Sequence, residues 1–338
     1  LLMKDWRRGR ATKTLLQAIS DAYVAIFALL VVGAMIISAI VQAQTAVAGC
    51  NSPSCVAGRG LVPWAALAGA LAFTLAASLI FGPVLASTAE GFWLMDAPIE
   101  RRRLLARRLW LAIGAGMVLG IIFGAVVAAL TGSSPIAVVA WALGTGFGSA
   151  GLISIAALEQ TYERRWLLRT VQWLIGLSGI AALLVVVSTA ANWFSIQGLD
   201  ALGPELAWVV AGVGVGLMVI AGVLAYRNLN NIRRQRLTSG GSLLSGMRGA
   251  MFALDFGLVR DILVESEAAN RGHVRATRGV GKGLAALIMR DVQRLWRYPR
   301  PLLFWLISMV VPYAISALGL AILNAPLSAA VLMTALIP

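Results

Sequence analysis

Histidine is almost missing from this 338-residue chain, cysteine is rare, and acids are outnumbered two to one by bases, 14 against 28. The single His, His273, stands in a polar stretch, where a lone imidazole reads as solvated rather than catalytic, and no Cys/His cluster of metal spacing accompanies it. The two cysteines, Cys50 and Cys55, enclose Asn-Ser-Pro-Ser with no His nearby, which argues against zinc. They read as a disulfide in an oxidising compartment, with free thiols as the alternative. Charge is also missing from seven long apolar runs, at 22–41, 61–89, 111–130, 135–158, 171–191, 206–226 and 302–323. An ionisable group inside a bilayer costs several kcal/mol and is kept for proton relays or ion coupling, so its lack argues against a proton-driven pump. A phosphate loop is missing too. The run Gly279-Val280-Gly281-Lys282-Gly283 has Ala276 where that motif needs Gly and Gly283 where it needs Ser or Thr.

What the chain does contain is apolar surface. Hydrophobic residues make up 59% and charged residues 12%, with a mean hydropathy of +0.85, a composition that places it in the membrane. Uncharged runs of about 20 residues read as bilayer-spanning helices, and the fold class expected is an all-α polytopic transmembrane bundle with cytoplasmic amphipathic helices. The first run is too long for a signal peptide core and no cleavage site follows it closely. An eighth run from Leu327 is too short to cross by Pro338, so the chain is expected to be part of a longer product.

The basic residues fix the expected orientation. All of the 28 except Arg59 fall before the first run or on one alternating set of loops. Because cytoplasmic loops retain Lys and Arg, the amino terminus and the loops at 101–108, 164–169 and 227–300 are expected in the cytoplasm of a multi-pass plasma-membrane protein. The stretches around Cys50, Ser133, Asp200 and Asn324 would face outward. This topology accounts for the net charge of +14 through anionic lipid headgroups, and no nucleic-acid partner is needed.

The expected organisation is an interfacial helix at 1–20, a six-span half at 21–226, a linker at 227–286, a second interfacial helix at 287–301 and the opening of a second half at 302–338. Leu2-Met3-Lys4-Asp5 recurs as Ile288-Met289-Arg290-Asp291, and Arg8 as Arg294, each copy preceding a span. Parallel repeats of this kind are common in transporters. In the linker, 233–248 is rich in Arg, Ser and Gly and reads as flexible. A helix at 247–264 follows, with Met247, Met251, Leu254, Leu258 and Ile262 on one stripe. Gly82-Pro83 is expected to bend the second span. Glycines spaced by four (Gly116, Gly120 and Gly124; Gly144 and Gly148; Gly212 and Gly216) predict close helix packing, within one subunit or along the seam of a homodimer.

After the second run the chain reads Glu90-Gly91-Phe92-Trp93-Leu94-Met95-Asp96-Ala97-Pro98-Ile99-Glu100-Arg101-Arg102-Arg103-Leu104-Leu105, then Ala106-Arg107-Arg108-Leu109. This resembles the cytoplasmic turn of ATP-binding-cassette export permeases of the second type, in which an acidic, Gly-containing stretch leads through a Pro to a basic amphipathic helix entering the third span. The six-span block, the helix before it and the Pro-flanked bases at Arg297-Tyr298-Pro299-Arg300-Pro301 carry the resemblance further, toward a double-length permease. The resemblance implies a separate ATPase subunit, with Glu90, Pro98, Glu100, Arg101, Arg102, Arg103, Leu104 and Arg107 as the coupling element. Lys4, Asp5 and Arg8, and Arg290, Asp291 and Arg294, would lie on interfacial helices. Independently of any family, Pro98 suits the first position of a helix and the arginines suit acidic contacts.

The expected function is therefore that of a permease subunit of an ATP-driven exporter, with no covalent chemistry and no cofactor of its own. Membrane lipids and auxiliary membrane subunits are further expected partners. The alternatives are a non-transporting scaffold or assembly factor that recruits cytoplasmic partners and, lacking the acids it would need, a membrane enzyme acting on lipid-linked substrates.

Overall fold

The computed structural model describes residues 15–48, 53–87, 90–91, 101–162, 166–190, 193, 203–252 and 282–297, with 255, 257–258, 261–262, 265, 308–309, 312 and 328. Among them every regular element is helical: α1 (Leu15–Ala48), α2 (Pro53–Phe81), α3 (Arg101–Leu130), α4 (Pro135–Tyr162), α5 (Trp166–Ala190), α6 (Gly203–Arg227), a 3-10 turn (Leu229–Asn231), α7 (Arg234–Phe252) and α8 (Leu284–Arg297). Helices α1 to α6 each contain a segment long and apolar enough to cross a membrane. Such segments are helical because hydrocarbon offers no partner to backbone N–H and C=O groups, and a helix satisfies them internally. The protein is an all-α polytopic bundle. The expected spans at 302–323 and beyond 327, and residues 1–14, lie outside the described residues apart from a few isolated positions.

Helix α4 is the hub, with 72% of its apolar window buried against 6% for α1 and for α5. It packs along α3 and α6, while α2 packs chiefly against α5 and then against α4. Small residues make this possible. A Cβ added at Gly120 would lie 2.8 Å from the Thr145 carbonyl oxygen, at Gly124 2.6 Å from that of Trp141, and at Gly144 2.8 Å from that of Ala207. Helix backbones therefore meet directly, as the glycine spacing predicts for packing within one subunit. Helix α6 departs from the expected pattern. Gly212 and Gly216 meet nothing within 4 Å, whereas a Cβ at Gly214 would lie 2.4 Å from Phe147.

Three further expectations are corrected. Gly82-Pro83 ends α2 where a bend within it was expected: Gly82 adopts φ +81, its N–H still bonding Ser78 O at 2.9 Å, so the chain turns out of the helix in a left-handed cap. The Ser- and Gly-rich stretch read as flexible is helix α7. Its Gly240 and Gly241 lie where a Cβ would come within 2.0 Å of backbone oxygens of Phe81 and Ala86, so tertiary contact outweighs weak helix propensity. The continuous helix expected at 247–264 is broken. Asp255 lies outside any helix, and its carboxylate accepts the Leu258 N–H at 3.0 Å.

Candidate functional site: the basic end of the bundle

The site is built from the exit of α2 upward. Beyond Gly82 the chain passes α4 outside any helix, where the buried Gln160 side chain accepts the Val84 N–H at 3.2 Å and donates to the Val84 carbonyl at 3.1 Å. Ser87 and Glu90 then bond each other in the manner of a capping box. The Ser87 hydroxyl accepts the Glu90 N–H at 3.2 Å, and the Glu90 carboxylate accepts the Ser87 N–H at 2.9 Å and its hydroxyl at 2.8 Å. The other carboxylate oxygen pairs with Arg108 on α3, whose guanidinium also donates to the Leu85 carbonyl. Arg108, with the Ser87 bonds adding to it, holds the Glu90 carboxyl down to about 2 against partial desolvation.

Beneath this clamp lies an apolar cluster that includes Val84, Leu105, Leu109, Leu229, Ile232 and Leu237. Each fully buried Leu contributes about 2 kcal/mol of transfer free energy. The cluster ties α3, the end of α6 and α7 together, and the Ala86 N–H completes the seam by donating to Leu237 O at 3.1 Å. Gly91 closes against α7, since a Cβ there would sit 2.3 Å from the Thr238 methyl.

The expected coupling residues divide by this geometry. Glu90 belongs to the clamp. Arg102 is part-buried, its guanidinium carbon 4.1 Å from the Tyr226 ring centroid, a cation–π contact that fixes α3 to α6. Arg101, Arg103 and Arg107 are exposed, and Leu104 stands among them 40% exposed. These residues belong to the span helix itself, which runs unbroken from Arg101 to Leu130, in line with a basic helix that enters the third span; Pro98 and Glu100 lie outside the described residues.

Arg101, Arg103 and Arg107 gather exposed positive charge at this end of α3. They suit an external anionic surface. Sequence reasoning missed Arg108, Gln160, Tyr226 and the glycines of α7. The Ser-x-x-Glu pattern at 87–90 was a readable signal for the clamp; Gln160 and Tyr226 carried none.

Helix α8 bears the second set of expected residues. Leu284, Ile288 and Val292 are all exposed, at 75%, 56% and 49%, on one side of the helix, and Arg290 and Asp291 are exposed as well; Arg294 is on the same helix. Lys4, Asp5 and Arg8 lie outside the described residues. Cys55 begins in the first turn of α2 and is not a free thiol, while Cys50 lies outside the described residues. Among the described residues no three His, Cys, Asp or Glu side chains converge as a metal site would require.

A family model described as a family of unknown function, DUF6297, matches residues 55–338. No curated protein matches the chain, and no solved structure does.

Proposed function

The chain belongs to the DUF6297 family, and from that premise we propose that it is the membrane-spanning permease subunit of an ATP-driven exporter, coupled at its basic end to a separate ATPase. One observation carries the reading: Arg101, Arg103, Arg107 and Leu104 stand exposed on a helix whose root is clamped by Glu90–Arg108 and by the apolar cluster under α7. A rigid, cationic, partly apolar surface continuous with a span is what transmits a push from a soluble motor into a bundle. In this reading the basic end is cytoplasmic, as lysine and arginine retention requires, and the membrane is the plasma membrane. The apolar side of α8 lies on the cytoplasmic leaflet, with its arginines toward headgroups.

A second reading, a non-transporting scaffold, draws on the same surface and on the direct backbone contacts of α3, α4 and α6, which make a block suited to holding partners. Co-purification with the ATPase encoded beside this chain separates the two. The exporter reading expects a stable complex whose ATP turnover falls several-fold with Arg101→Glu and Arg103→Glu together. Binding and turnover that ignore both substitutions favour the scaffold.

A further inference from the structure

At the end of the bundle opposite the Glu90–Arg108 clamp, Arg59 lies on the second turn of α2, inside a segment that the sequence places on the uncharged side of the protein. It is 4% exposed, and Nε, Nη1 and Nη2 have no hydrogen-bond partner among the described residues. A buried guanidinium without a partner is strongly disfavoured, so its surroundings should disclose what it is there to meet. They form a cavity of about 340 Å³ between α2 and the α3–α4 turn, whose wall includes Thr131, Ser133, Ser134 and Trp141 and, among the described residues, no Asp or Glu.

The turn is shaped for the purpose. Gly132, at φ +71, closes α3 in a Schellman motif, with Gly132 N–H to Ala129 O at 3.2 Å and Ser133 N–H to Ala128 O at 3.1 Å. Ser134 then caps α4, its hydroxyl oxygen receiving the Ala137 N–H at 3.4 Å, which leaves its own O–H free to donate. The positive end of the 28-residue helix α4 therefore opens on the same cavity as Arg59. Charge, a forked donor, a hydroxyl and a helix start converge there, with no acid among the described lining residues.

We propose that this pocket binds a phosphate-type oxyanion, held by the Arg59 fork and the Ser134 turn. A guanidinium matches such a group with two parallel bonds, and the cavity exceeds one phosphate, so the apolar wall at Trp141 takes the remainder of the molecule. Two sources share this chemistry: the headgroup of an anionic phospholipid, since the pocket lies at the end of membrane-crossing helices, and a free phosphate or phosphorylated solute. The inference does not depend on the exporter reading, because the two sites sit at opposite ends of the bundle and the test needs no ATPase.

Purified full chain is tested in two arms. In nanodiscs of phosphatidylcholine, inorganic phosphate is titrated while tryptophan fluorescence is read, the signal of Trp141 among the 11 tryptophans being assigned by its loss in Trp141→Phe. In detergent, native mass spectrometry reads retention of added phosphatidylglycerol. Wild type should respond saturably in one arm, and which arm names the source. Arg59→Gln should abolish that response, and Arg59→Lys, which keeps the charge and loses the fork, should weaken it about tenfold, the worth of one charge-assisted hydrogen bond. Should Arg59→Gln fail to fold, Arg59→Lys and Ser134→Gly, each weakening the response, support the proposal. Silence in both arms, or a response that both variants keep, overturns it.

Discussion

The Gln160 amide on α4 pairs with both backbone polar groups of Val84, accepting from its N–H at 3.2 Å and donating to its carbonyl at 3.1 Å. One side chain thus satisfies both backbone groups of a residue that lies outside any helix. It holds the exit of α2 in the place where the capping box and Arg108 can meet.

Replacing it should loosen that exit. Gln160→Leu leaves the Val84 N–H and carbonyl unpaired while preserving volume, a cost of about 1–3 kcal/mol per buried group. Thermal denaturation in detergent should show a clear fall in Tm, and hydrogen exchange at 84–87 should accelerate. An unchanged melting curve would mean that the two bonds contribute nothing net.

The Glu90–Arg108 pair predicts an acid-dependent effect. The Glu90 carboxyl is lowered from 4.5 to about 2 in the folded protein, mainly by Arg108. A depressed folded pKa contributes stability that is present above the unfolded value and is lost as pH falls through the folded one. That contribution should be intact above about pH 5 and disappear towards pH 2. The pair is about one-third exposed, 36% and 34%, so solvent screening keeps the effect modest. Comparing Tm against pH for wild type and Glu90→Gln is the test: the gap should narrow on acidification, and a constant gap contradicts the assignment.

Helix α7 supplies an internal control. A Cβ at Gly241 would sit 2.0 Å from the Ala86 carbonyl oxygen, whereas one at Gly249 on the same helix meets nothing within 4 Å. Gly241→Ala should therefore displace α7 and expose 82–87 to proteolysis. Gly249→Ala should be neutral or stabilise by about 0.5–1 kcal/mol through backbone entropy. If both variants behave alike in limited proteolysis, α7 is not docked on the exit of α2.

The expected bridge between Cys50 and Cys55 is a further prediction, Cys55 being no free thiol. Thiol alkylation under denaturing conditions should require reductant. Because the loop is so short, Cys55→Ala should cost at most about 2 kcal/mol and leave the bundle folded. Labelling without reductant would show free thiols.

Alternating apolar runs and arginine clusters were enough, as sequence, to determine an all-α membrane bundle with its bases gathered beside certain spans. Hydropathy is a sum over one segment, and the demand that hydrocarbon places on a backbone leaves only a helix. Helix boundaries and partners were decided elsewhere. Gly82 reads as a kink until Gln160, 78 positions away in the chain, gives the segment after it a reason to leave the helix. The stretch at 233–248 reads as a linker until the missing side chains of Gly240 and Gly241 are seen to admit the Phe81 and Ala86 carbonyls. Arg59 reads as a stray loop charge until α2 is found to begin at Pro53 and to carry it into a pocket. Each of these depends on a contact between distant segments, and a local pattern carries no information about which surfaces will meet.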